Sequence, residues 1–281
     1  MHKVVLKVQL NQNLAPRVKN ESTYMKHSFT KIMLRHSPFQ SILAAVGLLG
    51  LAASSAMGQV LPPSSLPYGL SYQEWAAKWW QWNLGQDTNH MDLVGYPGIC
   101  DGPASRVRFL AGAPGSVTEA HNVSVPAETP LFFTILSAES DNTGCPMTAF
   151  TADELTAQTE GNWSAVTLTK CTIDGVAVAG LSNPTNTDYL VLSPPFSYTL
   201  AEHGNFLPIY NGVTCIPGGT TIYPAVTYGV YLMLSPLSPG RHSIHFVGEV
   251  GPGGIYLTQD ITYDITVERD SDHDGHDGHD N

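Results

Sequence analysis

The chain has few charged side chains and almost no basic ones beyond its N-terminal region. Only 13% of its 281 residues are Asp, Glu, Lys or Arg, while 42% are hydrophobic. Residues 59–281 hold six of the 13 basic side chains but 23 of the 24 acidic ones, a formal net charge of −17. So few cations cannot neutralise a nucleic-acid backbone or an anionic lipid surface, and both classes of partner are excluded. The 26 Gly and 20 Pro residues argue against a helical bundle.

Motifs of the common catalytic sites are missing as well. The sequence contains no Cys-x-x-Cys, no Gly-x-Ser-x-Gly, no His-Glu-x-x-His and no glycine-rich phosphate loop ending in Lys-Ser/Thr. The leading expectation is therefore a non-catalytic binding or envelope-associated module with an extracellular or envelope ligand. The alternative is a secreted hydrolase or lyase that acts on extracellular polymer through dispersed acid and base residues.

Residues 1–58 have the pattern of a secretory signal peptide. The apolar run Ser41–Leu51 is preceded by three basic residues, Lys26, Lys31 and Arg35. Small residues follow the run up to Gly58. The run is shorter than the roughly 20 residues that span a bilayer, so we expect cleavage, after Gly58 or alternatively after Ala56. A start at Met25 would give a leader of ordinary length. The mature protein is expected to be secreted or periplasmic and not inserted in the membrane.

All four cysteines follow this leader: Cys100, Cys145, Cys171 and Cys215. An even number in an oxidising compartment predicts two disulfides. Three pairings are possible. Sequential pairing, Cys100–Cys145 with Cys171–Cys215, is favoured because it closes two loops of moderate length, although spacing alone leaves the choice open.

Two segments have helix signals. Ser71 and Glu74 have capping-box spacing, and Gly85 is placed to end the helix in a left-handed conformation. Between them, aromatic residues recur at helical spacing and predict a buried stripe: Tyr72, Trp75, Trp79 and Trp82. Thr151 and Glu154 repeat the capping box and predict a second, short helix.

The rest of the exported chain is typical of strands and turns. The Asp174-Gly175 pair between β-forming residues predicts a tight hairpin, and Tyr228–Leu234 predicts a buried strand. Ile261, Tyr263, Ile265 and Val267 alternate with polar residues. We therefore expect an all-β, antiparallel β-sandwich or jelly-roll-like domain over 70–268, with the Trp-rich N-terminal helix covering it. A linker over 59–69 and a disordered acidic, His-rich tail over 269–281 complete the prediction.

Two segments resemble signature regions of an uncharacterised family of secreted bacterial proteins. They are Leu70–Trp82 (LSYQEWAAKWWQW), with its Trp-rich EWxxxWWQW helix, and Pro236–Phe246 (PLSPGRHSIHF). Val125–Ala127 and Thr172–Val176 are similar to further parts of the pattern, so the resemblance extends over about residues 70–267. It implies export and a β-rich fold, and it implies no activity.

The candidate ligand-binding residues are Glu74, Trp80, His245 and Glu249. Trp80 lies off the aromatic stripe by about 100° of helical rotation. His242 and His245 would lie on opposite faces of a strand and could not share a metal ion, whereas His245 would share a face with Glu249. A cleft that united Glu74, His245 and Glu249 would indicate an enzyme.

The tail has a sharper metal-ligand spacing than the His242 and His245 pair. Asp270, Asp272 and Asp274 match the first half of a calcium loop, but its twelfth position is Asn281 in place of the bidentate Glu. His273, His276 and His279 could hold a transition metal weakly. No cofactor is required on this interpretation, and a solvated tail without bound metal is the simpler alternative.

Overall fold

The computed structural model of the protein describes residues 58–88, 106–112, 115–208 and 212–269, which form two sheets and two helices. The six-stranded sheet contains β1 (Val60–Leu61), β2 (Arg108–Phe109), β4 (Leu131–Asp141), β7 (Leu190–Leu192), β8 (Phe196–Thr199) and β9 (Thr221–Leu234). The five-stranded sheet contains β3 (Val117–Val125), β5 (Val166–Ile173), β6 (Val176–Ala177), β10 (Gly240–Val250) and β11 (Leu257–Val267). The two helices are α1 (Tyr72–Leu84) and α2 (Ala152–Trp163). A mostly β fold with two helices is thus confirmed.

The strand orders are β1-β9-β4-β2, with β7 and β8 also paired to β9, and β3-β11-β10-β5-β6. Two of these pairings, β3 with β11 and β2 with β4, are parallel, so the expectation of a purely antiparallel arrangement is wrong there. Consecutive strands β2, β3 and β4 alternate between the two sheets, so β3 cannot form a hairpin with either neighbour and pairs with the last strand instead. The period-two pattern specified which side chains point inward but carried no information on strand partners.

The inward faces of both sheets meet in one hydrophobic core. Phe133 of β4 stacks on Phe246 of β10 with ring centroids 5.4 Å apart. The alternating residues of β11 point into this core, as predicted: Ile261, Tyr263, Ile265 and Val267. At the end of β5, Asp174 and Gly175 both have positive φ, 50° and 78°, and join this strand to β6 in the predicted two-residue turn.

Helix α1 packs on the face of the six-stranded sheet that points away from this core. Its N-cap Ser71 and Glu74 form the predicted capping box. The Trp75 ring lies 6.0 Å from Phe109 and 5.9 Å from Phe132. The helix ends at Gly85 with φ of −80°, so the predicted left-handed termination is wrong. Helix α2 likewise begins at a complete capping box formed by Thr151 and Glu154, as predicted.

Residues 59–69, expected to be a linker, are built into the fold. Strand β1 pairs with the end of β9, with Val60 opposite Leu234. The Tyr72 hydroxyl donates to the Leu61 carbonyl (2.6 Å), and the Trp75 indole N–H donates to the Pro67 carbonyl (2.9 Å). The proline and serine content was misleading because the partners of this segment, strand β9 and helix α1, are brought to it only by the folded chain. The signal region 1–57 lies outside the described residues.

The cysteines do not pair as expected. Cys145 and Cys215 form a disulfide with a Cα–Cα distance of 5.8 Å. Cys171 points from β5 into the core and is a buried free thiol, so the predicted pairing Cys100–Cys145 with Cys171–Cys215 is wrong. The disulfide follows from topology: Cys145 comes just after β4 and Cys215 just before β9, and these two strands are antiparallel neighbours. Cys100 lies outside the described residues.

Candidate functional site

The side of the five-stranded sheet that points away from the core is a polar surface, which we call the outer face. Both helices pack on strands of the other sheet. Most side chains of the outer face are exposed or half-exposed and carry hydroxyl, amide, carboxylate or imidazole groups: Thr118, Asn122, Thr172, Ser243, His245, Glu249, Thr258, Asp260, Thr262, Asp264 and Thr266. The same face also carries two exposed cations, Lys170 and Arg241, and the buried Val247. The register aligns them in rows across four strands, since His245 stands opposite Thr262 on one side and Thr172 on the other.

His245 and Asp260 form an ion pair in the middle of this face. The His245 Nε2 lies 2.7 Å from the Asp260 Oδ1, and each side chain is 39% exposed. An exposed pair of this kind contributes little to folding stability. The pair instead fixes the position of a carboxylate that accepts hydrogen bonds and of an imidazole ring whose Nδ1 remains for a ligand.

Glu249 shares the outer face with His245, as predicted, but lies at its far end beside the β10–β11 hairpin. Gly254 in this hairpin has a φ of +72°, and a Cβ there would stand 3.3 Å from the Glu249 Cγ, so the turn packs closely on the glutamate. The same turn exposes two large side chains, Ile255 (68%) and Tyr256 (55%). The outer face therefore ends in an exposed aromatic and an aliphatic residue.

His242 lies on the opposite face of β10 from His245, which confirms that the two cannot share an ion. Its Nδ1 is 2.8 Å from Asp174 Oδ2, and its Nε2 is 2.8 Å from the Ser238 carbonyl and 3.3 Å from the Ser238 hydroxyl. This grouping has the residue types of a catalytic triad. However, Nε2 is nearer to a carbonyl oxygen than to the hydroxyl, so the ring is placed to donate there and not to accept the serine proton. The cluster holds the β5–β6 hairpin to the start of β10.

Trp80 lies over a buried hydroxyl cluster on the outward side of the six-stranded sheet. Its indole N–H donates to the Tyr231 hydroxyl (2.9 Å), which is 2.7 Å from the Thr227 Oγ1. Burial raises the pKa of Tyr231 to about 12. Because the polar edge of the half-buried Trp80 ring is already bonded to this cluster, the residue serves packing more than ligand contact.

Two acidic residues that the sequence reasoning missed lie close to this cluster. Asp141 is buried and accepts hydrogen bonds from the Tyr198 hydroxyl (2.6 Å) and the Thr143 backbone N–H (2.8 Å). Burial, together with the charges of Glu139 and Asp141, raises the pKa of Tyr198 well above its ordinary value. The signal was available, because Ser137, Glu139 and Asp141 alternate along the strand that begins with the apolar run Leu131–Leu136.

The structure does not bring Glu74 together with His245 and Glu249. Glu74 belongs to α1, beyond the six-stranded sheet, whereas the other two lie on the outer face of the five-stranded sheet. The Glu74 carboxylate accepts from the Ser71 backbone N–H (2.8 Å) and hydroxyl (2.7 Å), and these bonds lower its pKa. Glu74 therefore acts as a cap.

Metal ligation was predicted for the tail, and Asp270 to Asn281 lie outside the described residues. Within the ranges that the structure does describe, no three His, Cys, Asp or Glu side chains are grouped closely enough to hold a metal ion.

Comparison with known proteins adds little. No family model matches the chain, and no curated protein is significantly similar to it. A chain in the solved structure of PbICP-C in complex with falcipain-2 is similar at 10% identity and a TM-score of 0.23 over 58% of this chain and 99% of that one. At that score the likeness carries no argument about fold, partner or activity.

Proposed function

We propose that the protein is an exported, non-catalytic binding module, and that its outer face contacts a polyhydroxylated ligand such as an envelope or extracellular glycan. The observation that carries the proposal is the aligned rows of hydrogen-bonding side chains on a sheet surface against which neither helix packs. Thr262, His245 and Thr172 stand side by side across three strands. Neighbouring strands are about 4.8 Å apart, so the rows offer donors and acceptors at regular intervals along which a chain of hydroxyl groups could lie.

The composition of this face favours a neutral ligand over an anionic one. Its three carboxylates outnumber its two cations, Lys170 and Arg241, and carboxylates accept hydrogen bonds from hydroxyl groups. Tyr256 at the end of the face supplies an exposed ring on which a sugar could stack.

The roles of the ionisable residues also favour binding over catalysis. Glu74 caps a helix, His242 ties a hairpin to its neighbouring strand, and Asp141 accepts three buried hydrogen bonds. Each of these groups already has a structural partner.

A glycan array probed with the purified protein tests the proposal. The double variant His245→Ala/Asp260→Ala should weaken binding to the selected glycan at least tenfold, while Glu160→Ala, a charge removal on the exposed side of α2, should leave it unchanged. Equal binding by both variants would place the ligand site elsewhere, and no binding to any neutral glycan would contradict the glycan assignment.

Export itself is part of the proposal. The Cys145–Cys215 disulfide is of the kind that persists in oxidising compartments. In the described ranges, no helix has both the length and the apolar character needed to cross a membrane. N-terminal sequencing of the mature protein should begin at Gln59, and a sequence that starts before Ser41 would contradict cleavage.

A secreted hydrolase or lyase is the second candidate, and one observation favours it. Glu139 and Asp141 are two residues apart on β4, and both raise the pKa of Tyr198. A substrate panel of extracellular polymers tests this candidate, since Asp141→Asn should abolish any turnover that these groups support. Turnover that survives Asp141→Asn would remove this cluster as the site.

The tail completes the proposal as a weak divalent-metal site that does not support the fold. Its carboxylates suit calcium, and its three imidazoles suit a transition metal, which must bind more weakly below about pH 6.5 as the rings take up protons. A chain ending at Arg269 should lose the calorimetric heat of metal binding and melt within about 2 °C of the full chain. A larger fall in melting temperature, or unchanged metal binding, would contradict the proposal.

A further inference from the structure

Strand β3 forms one edge of the five-stranded sheet and is unusually open. It runs for nine residues and pairs with β11 in an uninterrupted register. It contains no proline, lysine or bulge, and of the devices that usually protect a sheet edge it has only a charged residue on its core-side face, Glu119. The strands at the other sheet edges have two to four residues: β1, β2, β6, β7 and β8.

The backbone of β3 offers its free hydrogen-bonding groups at alternate residues. The Val125 carbonyl accepts from Glu268 beside β11, whereas the Ser124 carbonyl accepts from the Arg108 side chain (3.2 Å) on the open side. By the alternation of a strand, the N–H and C=O groups of Thr118, Ala120 and Asn122 point to the open side too. Among the described residues nothing pairs with these groups, and the three side chains are exposed.

We propose that this edge pairs with the β3 edge of a second copy of the chain, antiparallel about a two-fold axis at Ala120. In that register Ala120 stands opposite Ala120 of the second copy, and Thr118 stands opposite Asn122. All three residues contribute one donor and one acceptor, which gives about six backbone hydrogen bonds across the axis. The arrangement is isologous, so it closes as a dimer and does not extend into a fibre.

The side chains of β3 favour this register, and they favour a second copy of the chain as the partner of the edge. Glu119 stands opposite His121 of the second copy, and His121 stands opposite Glu119, so the interface contains two pairs of an acidic group and an imidazole. Within one chain the two groups already lie 3.5 Å apart, on one face of the strand. Val117 meets Val123 in the same register, and no like-charged pair occurs. Moving the axis to Asn122 would place Glu119 opposite the buried Val125 and remove the complementarity.

The dimer should be reversible. Pairing of two edges alone buries less than the roughly 1,200 Å² of a standard interface, so dissociation should be measurable by dilution. Sedimentation equilibrium of the purified protein, at concentrations up to about 1 mM, should show a monomer–dimer equilibrium. A chain that remains monomeric over this range would overturn the proposal.

A pair of matched lysine variants locates the interface. Ala120→Lys places two cations against each other on the axis and should raise the dimer dissociation constant at least tenfold. Thr266→Lys adds the same charge to the same face of the neighbouring, interior strand and should leave the constant unchanged. Both positions are exposed, so both variants should keep the wild-type melting temperature. Equal dimerisation by Ala120→Lys and the wild type would show that the edge is not the interface.

A charge swap tests the register itself. The His121→Glu chain is acidic at both positions, and the Glu119→Lys/His121→Lys chain is basic at both. Alone, each should be monomeric, and an equimolar mixture should dimerise. The His121 ring packs 5.0 Å from Tyr263, so a loss of folding in these variants would show in their melting, and the lysine pair would then decide the question. A mixture of folded variants that stays monomeric would refute the register.

Discussion

Removal of the Cys145–Cys215 disulfide should destabilise the protein strongly. The two residues are 70 apart in sequence, and the loop they close contains α2 and strands β5 to β8. The loss of loop-closure entropy in the unfolded chain scales with the logarithm of this length, which gives about 4.4 kcal/mol at 25 °C. For a folded region of about 200 residues, this corresponds to a fall in melting temperature of about 9–18 °C.

Urea denaturation followed by tryptophan fluorescence measures the effect, because α1 carries four of the five Trp residues. The free energy of unfolding of the double variant Cys145→Ala/Cys215→Ala should be about 4 kcal/mol lower than that of the wild type. Adding a reductant should destabilise the wild-type protein by a similar amount and leave the double variant unchanged. Double alanine substitution is the matched perturbation because both sulfur atoms lie in exposed loops, so little packing is lost.

The reasoning would be refuted if the double variant lost less than about 1 kcal/mol. That result would mean that the unfolded chain is held compact by other means, since the folded ends of β4 and β9 are adjacent with or without the bond. A reductant effect that persists in the double variant would show instead that a bond involving Cys100 carries the stability.

Three further predictions concern single groups. In a Cys100→Ser variant, a thiol reagent should label no cysteine in the native protein and one after denaturation, because burial raises the pKa of Cys171 to about 12; labelling of the native protein would contradict its burial. Trp79→Ala should cost about 3–5 kcal/mol in denaturation experiments and Trp80→Phe about 1 kcal/mol, since the first deletes a buried ring and the second one hydrogen bond; equal costs would refute this ranking. Hydrogen bonds from Ser71 lower the pKa of Glu74 below its unfolded value. The ionised carboxylate therefore stabilises the fold above pH 4.5, and this stabilisation is lost as the pH falls through the folded pKa. In acid titrations the Glu74→Gln variant should lose less stability over that range than the wild type.

Local signals in the sequence predicted local structure well. Both capping boxes formed, Asp174-Gly175 made its turn, and the alternating residues of β11 entered the core. Each of these features depends on residues within about four positions of one another. The physical determinants, a side-chain acceptor for a helix N–H or a residue that tolerates positive φ, are therefore present in the local sequence.

Features that depend on distant partners were not predictable in this way. The Cys145–Cys215 bond exists because β9 returns beside β4, and Cys171 is excluded from pairing because its strand position points inward. The same limit explains the misassigned linker, whose Leu61 and Pro67 carbonyls accept hydrogen bonds from side chains of α1. The hydrogen bond of Asp141 with Tyr198, 57 residues away, belongs to the same class, although the polar alternation along its strand was visible in the sequence.

The candidate sites follow from the same division between local pattern and strand order. The sequence predicted that His245 and Glu249 lie on one face of a strand, because they are an even number of residues apart. The rows of the outer face were not predictable, because they exist only where β11 and β5 pair with β10 in this register. The edge at Ala120 exists because β3 pairs in parallel with the last strand and leaves its other side open. In the proposed dimer the two outer faces would join across β3, with the two His245 residues about five strand spacings, or roughly 24 Å, apart. A ligand shorter than this can occupy one face alone, whereas a polymer can occupy both at once. Dimerisation would then raise the apparent affinity for long chains through effective concentration, without a new contact at either face.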